Sequence, residues 1–296
     1  MLDVRFCTVK GKEGPVLSLI INQKIVPINE IKKAFGMDLP GQMEELIGNE
    51  RALLNLKDFL KDSRLDNNSF KGAEGKINFD IPLRKPNLIW CIGLNYPNHA
   101  SDLREKVPDE PASFIRPAST MIGHGDNIIV PEGIGRVTGE AEMALVMKKT
   151  PKNIKEKDAM RYVFGIVCVT DMTALDILER NPRFLTRAKS YDTFFSMGQV
   201  IVTMDEITDI SKLEISTGKN NQIIYKNIVD NMTFKPQFLI SFHSKVFSFA
   251  PGDILSTGTP GAVELTPGDR ITSQINIEGL PVLENYVVSG KSISLR

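Results

Sequence analysis

Apolar and polar residues alternate along many short segments of the chain, which is the pattern of half-buried β-strands. Three such segments lie in the first thirty residues: VRFCTV, PVLSLII and KIVPI. After residue 86 the pattern returns in NLIWCIG, EMALVM, YVFGIVCVT and GQVIVT, and in several segments beyond residue 212. Many short strands at close spacing predict a β-rich α+β protein whose main part is a β-roll or sandwich.

Helical periodicity interrupts these strands at a few places. It is present in INEIKKAFG, in one long stretch from Gln42 to Arg64, after Asp171, and in PQFLISFHSKVF. The polar, glycine-containing segment KDSRLDNNSFKGAEGK is typical of a linker. We therefore predict a small N-terminal α/β domain at residues 1–80 and a larger, β-rich domain at residues 81–296.

Charge and cysteine content narrow the class of partner. Lys+Arg and Asp+Glu number 36 each, so no broad charge attracts nucleic acid or an anionic membrane. No stretch approaches the ~20 apolar residues of a membrane span. Cys7, Cys91 and Cys168 show no metal-ligand spacing, which predicts buried free thiols in a reducing cytoplasm. The expected partners are a small molecule and a second copy of the chain.

Two glutamates begin the predicted strand VTGEAEMALVM. Glu140 and Glu142 are two residues apart, so they share one face of the strand and their charges repel. The strand end is either solvated or bound to a cation. Asp171 ends the next apolar strand, RYVFGIVCVTD, where it either caps a helix starting at Met172 or provides a third oxygen ligand. Carboxylates are the ligands that Mg²⁺ and Mn²⁺ favour.

Three further segments carry candidate chemistry. Lys189 precedes an aromatic patch, although most lysines simply lie on the surface. The loop STGTPG, residues 256–261, offers hydroxyl and N–H groups that can bind a carboxylate, or it is an ordinary turn. In GLNYPNHASD, His99 and Asp102 would pair on one helical turn and activate water, although a lone histidine is more often structural.

The order of these motifs resembles the fumarylacetoacetate hydrolase family over residues 86–296. The matching patterns are GLNYxxHA, FxxPxSxxxGxxDxIxxP, ExExALV, an apolar strand ending in Asp, KSxDTF, PGDxxxTGTP and a closing PGDxI. The resemblance implies a mixed β-roll catalytic domain, a homodimer, and Mg²⁺ or Mn²⁺ as cofactor.

The resemblance also implies roles for individual residues. Glu140, Glu142 and Asp171 would hold the metal, and Lys189 would meet the oxygens of a 2-oxo acid substrate. His99, supported by Asp102, would be the base of a mobile lid at residues of about 97 to 113. The residues assigned to substrate binding are Tyr96, Thr257, Gly258 and Thr259.

The expected reaction is hydrolysis of a C–C bond in a 2,4-dioxo acid, such as an acylpyruvate, through a metal-stabilised enolate. Decarboxylation, isomerisation or dehydration of a 2-oxo acid would use the same enolate, so these reactions stay open as alternatives. A catalytically idle, metal-binding member of the family is a further alternative.

Four positions depart from the family pattern. Asp102 stands where the lid usually has Glu, Leu175 and Leu178 replace an Arg and a Gln, and Arg116 replaces a Lys. We expect the change at Arg116 to lie on the surface. A leucine cannot pair with a carboxylate at the distal end of a substrate, so burying that carboxylate beside leucines would be costly. If both leucines line the pocket, the substrate carries a neutral, apolar distal group.

Overall fold

The computed structural model describes residues 4–62, 64–73, 77–102 and 105–291, without the side chains of Asn67 and Asp102. The strands in these ranges are β1 (Val4–Gly11), β2 (Gly14–Ile21), β3 (Lys24–Pro27), β4 (Phe79–Asp80), β5 (Ile89–Gly93), β6 (Ala112–Arg116), β7 (Met121–Gly123), β8 (Asn127–Val130), β9 (Val137–Met147), β10 (Val163–Ala174), β11 (Phe195–Met197), β12 (Val200–Thr203), β13 (Glu214–Lys219), β14 (Gln222–Ile228), β15 (Ile254–Ser256), β16 (Ala262–Leu265), β17 (Arg270–Ile275) and β18 (Leu283–Ser289). The α-helices are α1 (Ile28–Phe35), α2 (Met43–Gly48), α3 (Glu50–Leu60), α4 (Pro97–Asp102), α5 (Leu175–Arg180), α6 (Leu185–Lys189) and α7 (Pro236–His243).

The strands of the described residues form two open sheets. The larger sheet runs β3-β2-β1-β12-β10-β9-β15-β5-β6. Four more strands pair off this path: β4 with β1, β11 with β10, β16 with β9, and β7 with β11. The smaller sheet has the order β14-β13-β17-β18-β8. This strand-rich mixture of helix and sheet confirms the predicted fold class.

Strands β9 and β10 are the centre of the molecule. They pair antiparallel along almost their whole length, and every residue of both strands is buried. Met143 and Leu145 pack in an apolar cluster with residues of β13, β17 and α7. On the opposite face, Ala144 and Val146 join a second cluster with the N-terminal strands and helices. A charged side chain on either strand is therefore enclosed by protein.

The N-terminal segment continues the large sheet. Strand β1 pairs with β12, and Phe6 packs edge-to-face on Phe164 with ring centroids 5.2 Å apart. The boundary near residue 80 stays a prediction. The single helix predicted from Gln42 to Arg64 is wrong, because Asn49 ends α2 and its side chain accepts a hydrogen bond from the Ala52 amide to cap α3.

The prediction of buried free thiols is confirmed. Cys7, Cys91 and Cys168 are buried free thiols. No helix in the described part of the chain has the length and apolar composition that crossing a membrane requires.

Candidate metal centre

Strand pairing brings Glu140, Glu142 and Asp171 together, and we call these three residues the carboxylate triad. Asp171 lies directly opposite Glu140 in the β9–β10 ladder, and Glu142 is two residues farther along the same face. One oxygen from each carboxylate lies within 4.8 Å of the other two. The side chains are buried, with 9%, 2% and 0% of Glu140, Glu142 and Asp171 exposed. A solvated strand end, the simpler alternative for this pattern, is therefore wrong.

Asp171 does not cap a helix. Pairing with β9 carries β10 on to Ala174, and α5 begins only at Leu175, so the predicted helix start at Met172 is wrong. The aspartate is thus a mid-ladder residue whose carboxylate points to the same side as Glu140.

Lys189 lies between two members of the triad. Its Nζ donates to Glu140 Oε2 at 3.1 Å and to Asp171 Oδ1 at 2.8 Å. Only 5% of the residue is exposed, so the surface-lysine alternative is wrong. Burial lowers the pKa of Lys189, but the charges of Asp171 and Glu140 outweigh it and raise the pKa above its usual value. The ammonium group therefore stays protonated at neutral pH.

Arg116 is buried at the same place, which makes the expected surface change at this position wrong. Its guanidinium donates to Asp171 Oδ1 and to the backbone carbonyls of Lys189 and Met172. The guanidinium carbon also lies 5.6 Å from the ring centroid of Phe195, on the strand next to β10. The pattern FxRP gave no sign of this contact, because the partners of Arg116 are distant in sequence.

Glu142 is held by the loop at residues 256–261. The Ser256 hydroxyl and the Gly258 amide both donate to Glu142 Oε2, the latter at 2.9 Å. Burial and then the charge of Asp171 raise the pKa of Glu142 to about 8. Gly258 has φ +94°, and a Cβ there would lie 2.8 Å from Asn95 Cβ, so the close approach requires glycine. The sequence analysis counted Ser256 among the groups of this loop that can bind a carboxylate, but it did not identify Glu142 as that carboxylate.

The other assigned residues of the loop secure its own structure. The Thr257 hydroxyl donates to the Met143 carbonyl at 2.7 Å, and the Thr259 hydroxyl donates to the Gly261 carbonyl at 3.0 Å. The substrate-binding roles of Thr257, Gly258 and Thr259 stay predictions, because these contacts show only how the loop is fixed against β9.

The segment before α4 lies beside this loop. The side-chain amide Nδ2 of Asn95 donates to the backbone carbonyl of Thr257 at 2.8 Å. His99 on α4 is buried. Burial and the charge of Glu142 raise the pKa of Tyr96, whose buried hydroxyl has no hydrogen-bond partner among the described residues. Asp102 belongs to α4, but its side chain lies outside the described residues, so its pairing with His99 stays a prediction.

Leu175 and Leu178 follow the triad on α5. Leu178 packs against an apolar cluster that includes Ile134 and Val137. Leu175 is half-buried, and its amide donates to the Arg136 carbonyl at 2.8 Å. The predicted preference for a substrate with an apolar distal group assumed that both leucines line the pocket. Leu178 packs into the protein, so that preference now depends on Leu175 and stays a prediction.

The residues of the site fit a divalent cation. With all three carboxylates ionised, the triad carries three negative charges against the two positive charges of Lys189 and Arg116, in a largely buried place. The raised pKa of Glu142 reflects the cost of the third charge, which a bound cation would offset. The Tyr96 hydroxyl, which has no hydrogen-bond partner among the described residues, is a further oxygen near Glu142, whose charge contributes to raising the pKa of Tyr96. Buried charge of one sign is costly without compensation, and an all-oxygen donor set suits Mg²⁺ or Mn²⁺.

Known proteins similar to this chain include enzymes with different reactions. The oxaloacetate tautomerase of Xenopus laevis is 36% identical over an alignment that covers 97% of this chain and 91% of the relative. The rat oxaloacetate tautomerase is 37% identical over 72% of this chain and 70% of its own. Maleylpyruvate hydrolase from Sphingobium sp. SYK-6, solved with manganese(II) and pyruvate, superposes with TM-score 0.77 at 26% identity over 97% of this chain and 99% of that chain.

The family model described as the fumarylacetoacetate hydrolase C-terminal domain matches residues 88–288, which include the carboxylate triad, Lys189 and His99. The predicted resemblance is confirmed: the chain belongs to the fumarylacetoacetate hydrolase family.

Proposed function

We propose that this protein is a divalent-metal enzyme that converts a 2-oxo acid through its enolate. The observation that carries the proposal is the buried carboxylate triad with the Lys189 ammonium between Glu140 and Asp171. A 2-oxo acid offers two adjacent oxygens to such a site. The finer statement, a C–C bond hydrolase for acylpyruvate-like substrates, belongs to the same proposal.

Mg²⁺ or Mn²⁺ held by Glu140, Glu142 and Asp171 would polarise the 2-oxo group and carboxylate of the substrate as a Lewis acid. Lys189 is a fixed positive charge at the same place, and it favours the negative charge that develops on the 2-oxo oxygen. Because the site is largely buried, water screens this interaction only weakly. Tyr96 would donate its unpartnered hydroxyl to a substrate oxygen.

Hydrolysis is the first candidate reaction, with the buried His99 as its base. His99 would accept a proton from water while the oxygen adds to the distal carbonyl carbon of a 2,4-dioxo acid. Breaking the C3–C4 bond then leaves its electron pair on the pyruvate fragment as the enolate, and protonation at C3 yields pyruvate and a carboxylic acid. Asp102 would orient the imidazole, as predicted.

Tautomerisation of a 2-oxo diacid is a second candidate. It is favoured by the identity to oxaloacetate tautomerase from Xenopus laevis, which extends over almost the whole chain. This reaction needs the same enolate and a group that moves a proton at C3, but it needs no attacking water. His99 would then return the proton to the substrate instead of taking it from water.

A substrate panel with Mn²⁺ tests the proposal. Acetylpyruvate cleavage is followed by pyruvate release, and oxaloacetate tautomerisation by the decay of enol absorbance, each against Mn²⁺ alone. Lys189→Met should lower kcat on an active substrate by about 100-fold or more, as loss of an oxyanion-stabilising group does. The exposed Lys212→Met variant is the matched control and should match the wild type. Absence of turnover on all 2-oxo acids would refute the proposal.

His99→Ala separates the two reactions. Loss of both activities would mean that His99 moves the substrate proton, whereas loss of hydrolysis alone would make it the base that activates water.

The homodimer and the cytoplasmic location belong to the proposal as well. Sedimentation of the purified protein and fractionation of the source cells test them.

A further inference from the structure

Arg116 makes contacts that a lysine could not make together. Nη2 donates to Asp171 Oδ1 and, at 2.6 Å, to the Met172 carbonyl, while Nη1 donates to the Lys189 carbonyl. Nε lies 3.4 Å from Asp171 Oδ2. The side chain is fully enclosed, with 0% of it exposed. The planar guanidinium thus reaches both oxygens of one carboxylate and two backbone carbonyls at once.

These contacts join two elements that the backbone ladder does not connect. Asp171 and Met172 belong to β10, whereas Lys189 is the last residue of the five-residue helix α6. A helix of this length is held by its surroundings rather than by its own hydrogen bonds. Its final carbonyl lacks an intrahelical partner and is satisfied here by Arg116.

Asp171 Oδ1 therefore accepts from Lys189 and from Arg116, while Oδ2 has, among the described residues, only the long contact to Nε. This division leaves Oδ2 as the oxygen available to a metal ion. The orientation of the carboxylate and the place of the Lys189 backbone are both set by the same guanidinium.

Resting on the proposed function, we propose that Arg116 is a positioning residue that fixes Asp171 as a metal ligand and Lys189 as its neighbouring cation in one arrangement. It touches neither substrate nor metal. Removing such a support commonly weakens metal affinity or activity by about 10–100-fold. Loss of the positive charge alone would instead strengthen metal affinity, because a nearby cation repels a metal ion.

The test is Arg116→Lys, which keeps the charge and removes the fork geometry. Calorimetric titration of the substrate-free protein with Mn²⁺ should show affinity about tenfold weaker or more. On an active 2-oxo acid, kcat should fall by a similar factor while KM changes by less than about threefold. Arg5→Lys is the matched control, because Arg5 is also a buried arginine, paired with Glu206 far along the chain from the triad.

A second variant, Arg116→Met, separates position from charge. If Arg116 acted by its charge alone, this variant would bind Mn²⁺ more tightly than the wild type. If it positions Asp171, both variants bind Mn²⁺ more weakly, as judged on protein with wild-type circular dichroism. Wild-type Mn²⁺ affinity and kcat in Arg116→Lys would overturn the inference. The Mn²⁺ titration stands even if the wild type converts no 2-oxo acid, so the two proposals fail separately.

Discussion

At the scale of single residues, the strand alternation of Glu140 and Glu142 was enough to predict a shared face and a clash of charges. It was not enough to predict burial, because exposure depends on what packs over a strand. The same limit explains Arg116, whose position in the motif was visible but whose partners lie 55 and 73 residues away along the chain. Pair contacts at such separations leave no local pattern.

The raised pKa of Glu142 has a consequence for stability. The carboxyl titrates near its usual 4.5 when unfolded and at about 8 when folded without metal, so the folded state holds its proton more strongly. The contribution of this group is fully present below pH 4.5 and is lost as pH rises towards 8. We predict that the melting temperature of chelated protein falls over this range and that Glu142→Gln reduces the fall.

Thermal unfolding at several pH values in the presence of a chelator measures this effect. An equally steep fall in Glu142→Gln and in the wild type would show that another group is responsible. Glu264→Gln, at an exposed position on β16, is the control and should leave the slope unchanged.

At the scale of elements, pattern reasoning found the β-strands that matter but not their ends. It placed the end of β10 at Asp171, whereas pairing with β9 continues to Ala174. It also missed β6, β11 and β16, which have five, three and four residues. Strands this short depend on partners already in place, so their own sequence carries little signal.

The loop between β15 and β16 yields a prediction about Gly258. In Gly258→Ala the new methyl would meet Asn95 at a residue with φ +94°, so the loop must shift and its hydrogen bond to Glu142 must weaken. We expect a loss of about 1–3 kcal/mol in the free energy of unfolding, together with weaker Mn²⁺ binding. Denaturant titration and calorimetry measure the two effects.

Gly268→Ala is the matched control, because Gly268 has φ +100° but no atom within 4 Å of an added Cβ. It carries the backbone strain without the clash. If both variants bound Mn²⁺ equally well, the loop would have no part in holding Glu142.

Helix α4 is the element for which motion is expected. Its inner residues His99 and Ala100 are buried, whereas Asn98 and Ser101 border a cavity of about 330 Å³. We predict that residues 97–113 exchange their amide hydrogens faster in free protein than with Mn²⁺ and an oxalate-type inhibitor. Equal protection in the two states, with β9 as the internal reference, would rule out a lid.

At the scale of the whole molecule, the sequence predicted a β-rich catalytic part and a separate N-terminal part. That division stays a prediction. The N-terminal strands join the large sheet through β1 and β12, and one apolar cluster includes both Leu19 and Val146. Such long-range pairing has no local signature. The boundary near residue 80 was drawn from composition, which reports a linker but not the contacts across it.

This packing predicts that residues 81–296 will not form a stable fold alone. Removing the N-terminal part would expose the β12 edge and the apolar face that includes Val146 and Val167. We expect the fragment to aggregate or to lose its cooperative unfolding transition, as followed by circular dichroism and light scattering. A soluble fragment that unfolds cooperatively would show that the N-terminal part is an independent domain.

The central claim is that the carboxylate triad holds a divalent cation, and calorimetric titration with Mn²⁺ tests it most directly. The wild type should bind one ion per chain, with release of a proton near neutral pH as Glu142 ionises. The double variant Glu140→Gln, Glu142→Gln should retain its fold and show no binding at this site. Binding of one Mn²⁺ by the double variant with wild-type affinity would contradict the account.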